Sequence, residues 1–327
     1  MGQYIHMLQR ILTFSSFAIA ALLLAACGGG VSPANFPIPL ETQDLMKSKG
    51  LKESSPIFVR IFKKESELEV WKQRDDGRYA LLKTYPICKW SGGLGPKLKQ
   101  GDKQAPEGFY TVNAHQMNPK SSYHLSFNLG YPNKLDKSYR RTGNFLMVHG
   151  DCRSAGCYAM TDVLIEEIYA LAREAFVGGQ TKFQVHAMPF RMTKRNMKKY
   201  AKGRWSKFWV DLKRGYDAFE MTAIPPKIDV CERRYLVNAA FPSKKMRIGA
   251  NEICPPYRTF VPEIVETARG HKIIQAFAGT PDYDRIIRNL AAHTSNVAGA
   301  PTSRHAVSSS LATRQSMALR NSIRVSR

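Results

Sequence analysis

His149 and Cys157 stand eight positions apart in Val148-His149-Gly150-Asp151-Cys152-Arg153-Ser154-Ala155-Gly156-Cys157-Tyr158-Ala159-Met160. A thiol becomes a strong nucleophile only as thiolate, so it needs a base, and imidazole is the side chain that exchanges a proton near neutrality. Such a pair suits nucleophilic catalysis by the thiolate. Gly156 permits close backbone approach, so that N–H groups at Gly156 and Cys157 can face an oxyanion as it forms. Spacing alone does not bring His149 to Cys157, and the same residues also read as a buried cysteine and an unrelated histidine.

The elements around this segment must hold it. Residues 144–149 read as a strand, and residues 161–176 carry apolar side chains at helical spacing, with Glu166 and Glu167 on the other face and Thr161 or Asp162 as cap. The chemistry-bearing loop therefore lies between strand and helix, on a rigid frame. Upstream, 57–62, 67–71 and 79–85 read as a β-meander, with Asp75-Asp76-Gly77 as a turn signal. Residues 89–104 form a long Gly-, Pro- and Lys-rich loop, and 108–112, 122–129 and 181–188 are further strands. The sum is a mostly β domain of about 135 residues with at least one helix, enough for a single core.

The pattern His149-Gly150, then Ser154-x-Gly156-Cys157, preceded by Gly101-Asp102-Lys103-Gln104-Ala105-Pro106-Glu107-Gly108-Phe109-Tyr110, resembles the L,D-transpeptidase (YkuD) catalytic domain. Tyr123-His124-Leu125, Gly130-Tyr131-Pro132-Asn133, Arg141-Thr142-Gly143 and Val185-His186 with Pro189-Phe190-Arg191-Met192 are similar to its YafK-type branch. The resemblance implies an α+β, mainly β fold: a β-sandwich with a helix after the catalytic loop, followed here by a helical, basic C-terminal extension. It places the nucleophile on Cys157, the base on His149 and the orienting carbonyl on Gly150, with Gly156 at the oxyanion. It implies that Tyr123, His124, Arg141 and Ser154 bind substrate, Arg141 through stem-peptide carboxylates. Each of these also reads as structural, and His186 reads as a structural histidine on a strand. Ala155 stands where the family usually has a histidine, and the His-to-Cys interval is short, which fits the YafK-type branch. The implied substrate is peptidoglycan, acylated at diaminopimelate, with no cofactor and no metal. Cross-linking, attachment of protein to the wall, or amide hydrolysis that releases a wall-linked outer-membrane lipoprotein or barrel protein are all compatible with it. A non-catalytic lipoprotein that tethers the outer membrane to the wall is the alternative.

Other features place the chain in the cell. Residues 11–24 are apolar, follow Arg10 and precede Leu24-Ala25-Ala26-Cys27, and 14 residues rise only about 21 Å as a helix, too short to span a bilayer. This reads as a lipoprotein leader over 1–26, with Cys27 as the lipidated residue, a tether over 27–55, and anchorage in the outer membrane facing the periplasm. Export excludes nucleic acid as the partner of a chain with net charge +23, leaving wall polymer and anionic lipid. Four cysteines remain for disulfides, Cys88, Cys152, Cys231 and Cys254, with three possible pairings; a Cys231–Cys254 loop is one, and a reversible Cys152–Cys157 bond is a further reading. The catalytic domain is expected over 56–192 and the helical basic extension over 193–290. Within the latter, residues 194–214 carry nine Lys and Arg against one acid, interleaved with Tyr200, Trp205, Phe208 and Trp209. That stretch reads as a helix with aromatics inward and a solvated basic face, which also suits contact with anionic lipid or wall polymer. Residues 291–327, with five Arg and no acid, read as a disordered tail.

Overall fold

The strand β1 (Ile57–Phe62), Ile-Phe-Val-Arg-Ile-Phe, is buried at every position because both of its faces are covered. Ile57, Val59 and Ile61 face the main core, while Phe62 belongs to a second apolar cluster and Phe58 and Arg60 meet the C-terminal extension. Unbroken apolar runs mark strands covered on both sides. The computed structural model describes residues 31–243, 248–267 and 270–277. The leader over 1–26, Cys27 and the tail over 291–327 lie outside them.

Around β1 a five-stranded sheet forms with β2 (Glu67–Gln73), β3 (Tyr79–Pro86), β5 (Gly108–Asn113) and β10 (Lys182–Met188), in the order β3-β2-β1-β10-β5. The meander is antiparallel, and β10 returns parallel to β1, pairing Val59 with Val185. A second five-stranded sheet contains β4 (Lys89–Trp90), β6 (Met117–Ser121), β7 (His124–Asn128), β8 (Met147–His149) and β9 (Tyr158–Ala159), in the order β4-β9-β8-β7-β6. Leu125, Phe127, Val148 and Tyr158 of this sheet share one core with Val59, Ile61 and Val70 of the first, which makes the sandwich. The helix after the catalytic loop, α3 (Asp162–Val177), buries Ile165, Ile168, Leu171, Ala172 and Ala175 in the same core, and the Thr161 hydroxyl caps it by accepting from Leu164 N. Among the described residues two shorter α-helices precede it, α1 (Leu40–Ser48) and α2 (Lys134–Ser138).

Two expectations require correction. The tether ends before Pro33: Ala34, Ile38, Met46 and Leu51 enter the core, Thr42 Oγ1 donates to Glu167 Oε1 at 2.6 Å, and Arg173 Nη1 donates to the Ala34 carbonyl at 2.6 Å. A short segment with a few widely spaced apolar residues has no periodicity that separates it from a linker. Among its described residues the extension is helical only in its first third, α4 (Lys194–Lys199) and α5 (Ser206–Thr222). Ala223 then takes a left-handed φ of 53°, Pro225 and Pro226 cannot donate helical hydrogen bonds, and the chain turns to strands β11 (Ile228–Cys231), β12 (Arg234–Val237), β13 (Ala239–Ala240), β14 (Arg258–Thr267) and β15 (Gly270–Phe277). Cys231 and Cys254 are joined there, with Cα atoms 5.3 Å apart.

The extension is welded to the sandwich. Arg60, 3% exposed, pairs with Glu69 and with Glu220 of α5, and its guanidinium lies over Trp71, Tyr216 and Phe219. Gly215 of α5 sits where a Cβ would lie 2.4 Å from the Phe109 ring, so the helix comes closer to β5 than any side chain would allow. His186 is fully buried between the rings of Phe58 and Phe109 and bonds Gln184, the structural role expected of it.

Candidate active site

Parallel pairing of β8 with β9 sets His149 beside the segment that follows Cys157. Val148 pairs with Tyr158 and His149 with Ala159. Residues opposite one another share a face, as do residues two apart on a strand. Cys157, two before Ala159, therefore falls on the face of His149, while Val148 and Tyr158 point into the core with no exposure. The Cys157 thiol accepts from Met147 N at 3.4 Å and faces the Phe145 carbonyl at 3.6 Å.

The connection between the strands is bent by backbone conformations that few residues tolerate. Asp151 and Cys152 have φ of 66° and 48°, and Gly156 has φ of 124°. Each bend is fastened. Asp151 N donates to Asp162 Oδ1 at 2.7 Å, Cys152 N to the Met160 carbonyl at 3.1 Å, and Met160 N to the His149 carbonyl at 2.7 Å. Cys152 is bonded to Cys88, at the start of β4, with Cα atoms 5.3 Å apart. The reversible bond between Cys152 and Cys157 is thereby not the pairing formed; Cys157 is a free thiol. Ser154 Oγ donates to the Cys157 carbonyl at 2.7 Å, accepts from Gly156 N at 3.3 Å and meets Ser91 Oγ at 3.2 Å. Ser154 thus shapes the loop, and in this state it also occupies the Gly156 N–H expected at the oxyanion.

His149 is 3% exposed, and its Nδ1 lies 2.6 Å from the Gly150 carbonyl oxygen. A carbonyl only accepts, so this contact assigns the proton to Nδ1 and leaves the lone pair on Nε2. Burial lowers the His149 pKa, against an opposing effect of the Gly150 bond, and so favours the neutral ring. Burial likewise pushes the Cys157 thiol up, opposed by the Met147 N–H and the Lys97 charge. Both shifts favour the neutral forms, thiol and imidazole.

Gly150 is required by space. A Cβ there would lie 2.5 Å from Asp162 Oδ1 and 3.0 Å from His124 Cβ. Its N–H donates to the Tyr123 and Leu125 carbonyls, which locks the plane of the peptide group next to the base. The half-exposed Tyr123 ring packs 4.8 Å from the His149 ring.

Of the residues expected at substrate, Tyr123 is thus beside the base. His124 is a neighbour of Gly150, but its Nε2 is engaged 2.6 Å from Glu166 Oε1 of α3. Arg141 is buried, with Nη1 2.7 Å from Asp136 Oδ1 and its guanidinium over Tyr139 and Phe208. Its charge is committed to the fold around α2. Several residues that hold the site were not singled out from the sequence. Asp162 and Glu166 carry no signal beyond a helix start and a polar helix face, and Phe145, 66% exposed with φ of 53°, none at all.

The loop over 91–107 is braced from below. Lys63 and Glu107, both without exposure, are 3.1 Å apart. Lys63 also donates to the Gly95 and Ala105 carbonyls, and Glu107 accepts from Gly95 N and from the Trp209 indole at 2.9 Å. Gln104 Nε2 donates to the Gly93 and Gly95 carbonyls, each at 2.7 Å. Among the described residues no group of three or more His, Cys, Asp or Glu converges as a metal site.

Against known proteins, residues 57–185 match the L,D-transpeptidase catalytic domain, YkuD. The chain is 43% identical over 226 residues to the Escherichia coli K12 protein named "Putative L,D-transpeptidase YafK", a match covering 67% of this chain and 89% of that protein. The Escherichia coli O157:H7 protein of the same name matches equally. Among solved structures, the helical cell shape determining protein Pgp2 of Campylobacter jejuni is 18% identical with a TM-score of 0.34, covering 72% of this chain and 92% of that one. Bd1075 of Bdellovibrio bacteriovorus is 16% identical with a TM-score of 0.32, covering 69% and 94%. The domain match runs from β1 into β10 and takes in the loop that carries Cys157, and with this extent of identity to the curated relatives the chain belongs to the L,D-transpeptidase family.

Proposed function

We propose that the protein carries out cysteine-dependent acyl transfer at diaminopimelate in peptidoglycan stem peptides, through a thioester on Cys157. The observation that carries this reading is the His149 Nδ1–Gly150 contact with Cys157 on the same sheet face. His149 Nε2 takes the thiol proton as Cys157 Sγ bonds to the carbonyl carbon, and the carbonyl electron pair moves to oxygen. When the oxyanion collapses, the C–N bond breaks and the leaving amine takes the proton from the imidazolium. An incoming amine or water then attacks the thioester, giving up its proton to His149, and thiolate leaves. An amine acceptor makes the enzyme an L,D-transpeptidase; water makes it an amidase that releases wall-linked protein.

The leader motif supports export and lipidation at Cys27, with the protein in the periplasm on the outer membrane, and the two disulfides suit an oxidising compartment. The decisive experiment incubates wild type and Cys157→Ala with purified sacculi and with a lipoprotein–muropeptide conjugate, and reads the products by mass spectrometry. Equal products from both proteins would remove Cys157 as nucleophile, and new cross-links against free lipoprotein would identify the acceptor. Loss of incorporated labelled fatty acid in Cys27→Ala tests the anchor.

A further inference from the structure

Seven cations, Lys194, Arg195, Lys198, Lys199, Lys202, Arg204 and Lys207, are all exposed within 14 residues that contain no acid. No carboxylate among the described residues lies within ion-pair distance of any of them; Arg204 instead covers the Trp205 ring at 4.6 Å and Lys199 the Tyr200 ring at 5.6 Å. Lys64, exposed, adds its charge over the other approach to Tyr200. The apolar side chains of this stretch are turned inward. Met197, Tyr200, Trp205 and Phe208 pack on the cluster that contains Phe190 and Trp209, and Tyr200 stacks on Phe190 at 4.6 Å. From 194 to 210 only Val210 is exposed among large apolar residues. A helix that inserts at a bilayer surface needs an outward apolar face. From 194 to 207, across α4, the turn and the start of α5, the large exposed side chains are all cations.

The face is also connected to the nucleophile loop through packed groups. Trp205 lies against Gly95, where a Cβ would fall 2.3 Å from its indole nitrogen. Gly95 is held by the Gln104 side chain, and the Gln104 backbone lies against Gly156, 3.6 Å from where a Cβ would stand. The loop between them displays two more exposed lysines, Lys99 and Lys103.

We infer that the 194–207 face is a docking surface for the carboxylate-bearing peptide–glycan polymer of the wall, holding the insoluble substrate beside Cys157. The inference rests on the acyl-transfer reading for the identity of the polymer. Stem peptides carry several free carboxylates per repeat, and a dense, unpaired cationic face attracts such a polyanion by long-range, salt-screened attraction without needing a shaped pocket.

The test uses full-length Cys157→Ala, so that nothing is turned over, with purified sacculi in a pull-down across NaCl concentrations. In that background Lys194→Glu/Lys198→Glu/Lys199→Glu/Lys202→Glu should weaken binding at low salt by roughly tenfold or more and flatten its salt dependence. The corresponding Lys→Gln set, which removes charge without reversing it, should give an intermediate loss and guards against misfolding of the Glu set. Sacculi with amidated carboxylates should bind the parent as weakly as the Glu set binds native sacculi. Undiminished binding by both sets would overturn the proposal, as would a parent that binds phosphatidylglycerol vesicles and not sacculi. With Cys157 intact, turnover of a small soluble diaminopimelate peptide should survive the Gln set. If wild type fails on that peptide, the acyl-transfer reading falls, while the sacculus pull-down still decides the docking surface.

Discussion

The imidazole of His149 is oriented by the carbonyl of Gly150, its own neighbour, at 2.6 Å from Nδ1. The orienting group is main chain and adds no formal charge, while burial lowers the imidazole's pKa. The peptide plane that carries the carbonyl is the Gly150–Asp151 one, set by the Asp151 N–H bond to Asp162 Oδ1 at 2.7 Å, and a Cβ on Gly150 would intrude on the same oxygen.

Gly150→Ala should therefore act on catalysis more than on fold. Its methyl would meet Asp162 Oδ1 at 2.5 Å and His124 Cβ at 3.0 Å, and the carbonyl must shift. A misplacement of this kind costs about 100-fold in kcat. Steady-state kinetics beside a thermal melt would separate the two effects; wild-type kcat would remove the orienting role.

The pH dependence follows from the directions of the two shifts. Turnover needs neutral His149, and its pKa is lowered, so the acid limb of kcat/KM should lie below the ordinary imidazole value. The Cys157 thiol is pushed up, so alkylation by iodoacetamide in His149→Gln should require pH above the ordinary thiol range. An acid limb above the ordinary imidazole value would contradict a lowered His149 pKa.

The Cys88–Cys152 bond closes a long loop and holds the left-handed turn before the nucleophile. With a sequence separation of 64, the chain-entropy contribution is about 4 kcal/mol. Cys88→Ser should lower Tm, and at a temperature where the variant is still folded its kcat should fall as well. Denaturation curves with activity in the same samples check this; a lower Tm with unchanged kcat would make the bond purely a staple.

Glu107→Ala removes the partner of a lysine with no exposure. Lys63 is left with the Gly95 and Ala105 carbonyls and the Trp90 ring but no bonded carboxylate, and burial already lowers its pKa. The loss should be about 3–5 kcal/mol, because an uncompensated charge stays buried. Lys63→Met/Glu107→Leu should recover much of it. Urea denaturation of the single and double variants measures both.

Buried His186 makes stability sensitive to acid. Its folded pKa is far below the ordinary value, from burial first and the Arg60 charge second. Below about pH 6.5 the unfolded chain takes up a proton that the folded chain refuses, so stability falls as pH drops through that value. His186→Gln should reduce the slope of Tm against pH between about 6.5 and 5; an unchanged slope would assign the acid sensitivity elsewhere.

Much of this molecule was legible in its residues. The strands of the meander, β5, β10 and α3 lie within a few residues of where alternation, helical spacing and the Thr161 cap put them, and the His149–Gly150 and Gly156–Cys157 pairs carried the family resemblance. These are local features, and local spacing determines local backbone. What only the tertiary structure decided depends on groups far apart in the chain. Four cysteines allowed three pairings, and the fold chose Cys88 with Cys152 and Cys231 with Cys254 by bringing their Cα atoms within 5.3 Å. Arg141 had the charge to bind a carboxylate, and Asp136 took it inside the protein. Residues 33–55 read as linker and pack as core, and the extension turned from helix to sheet past Thr222. In the basic segment the periodicity gave a charged face and an aromatic face, but only packing against Phe190 and Trp209 determined that the aromatics are spent inward and the charge is left for a partner. Burial and pairing are properties of the assembled core, and sequence spacing carries no record of which distant side chain arrives.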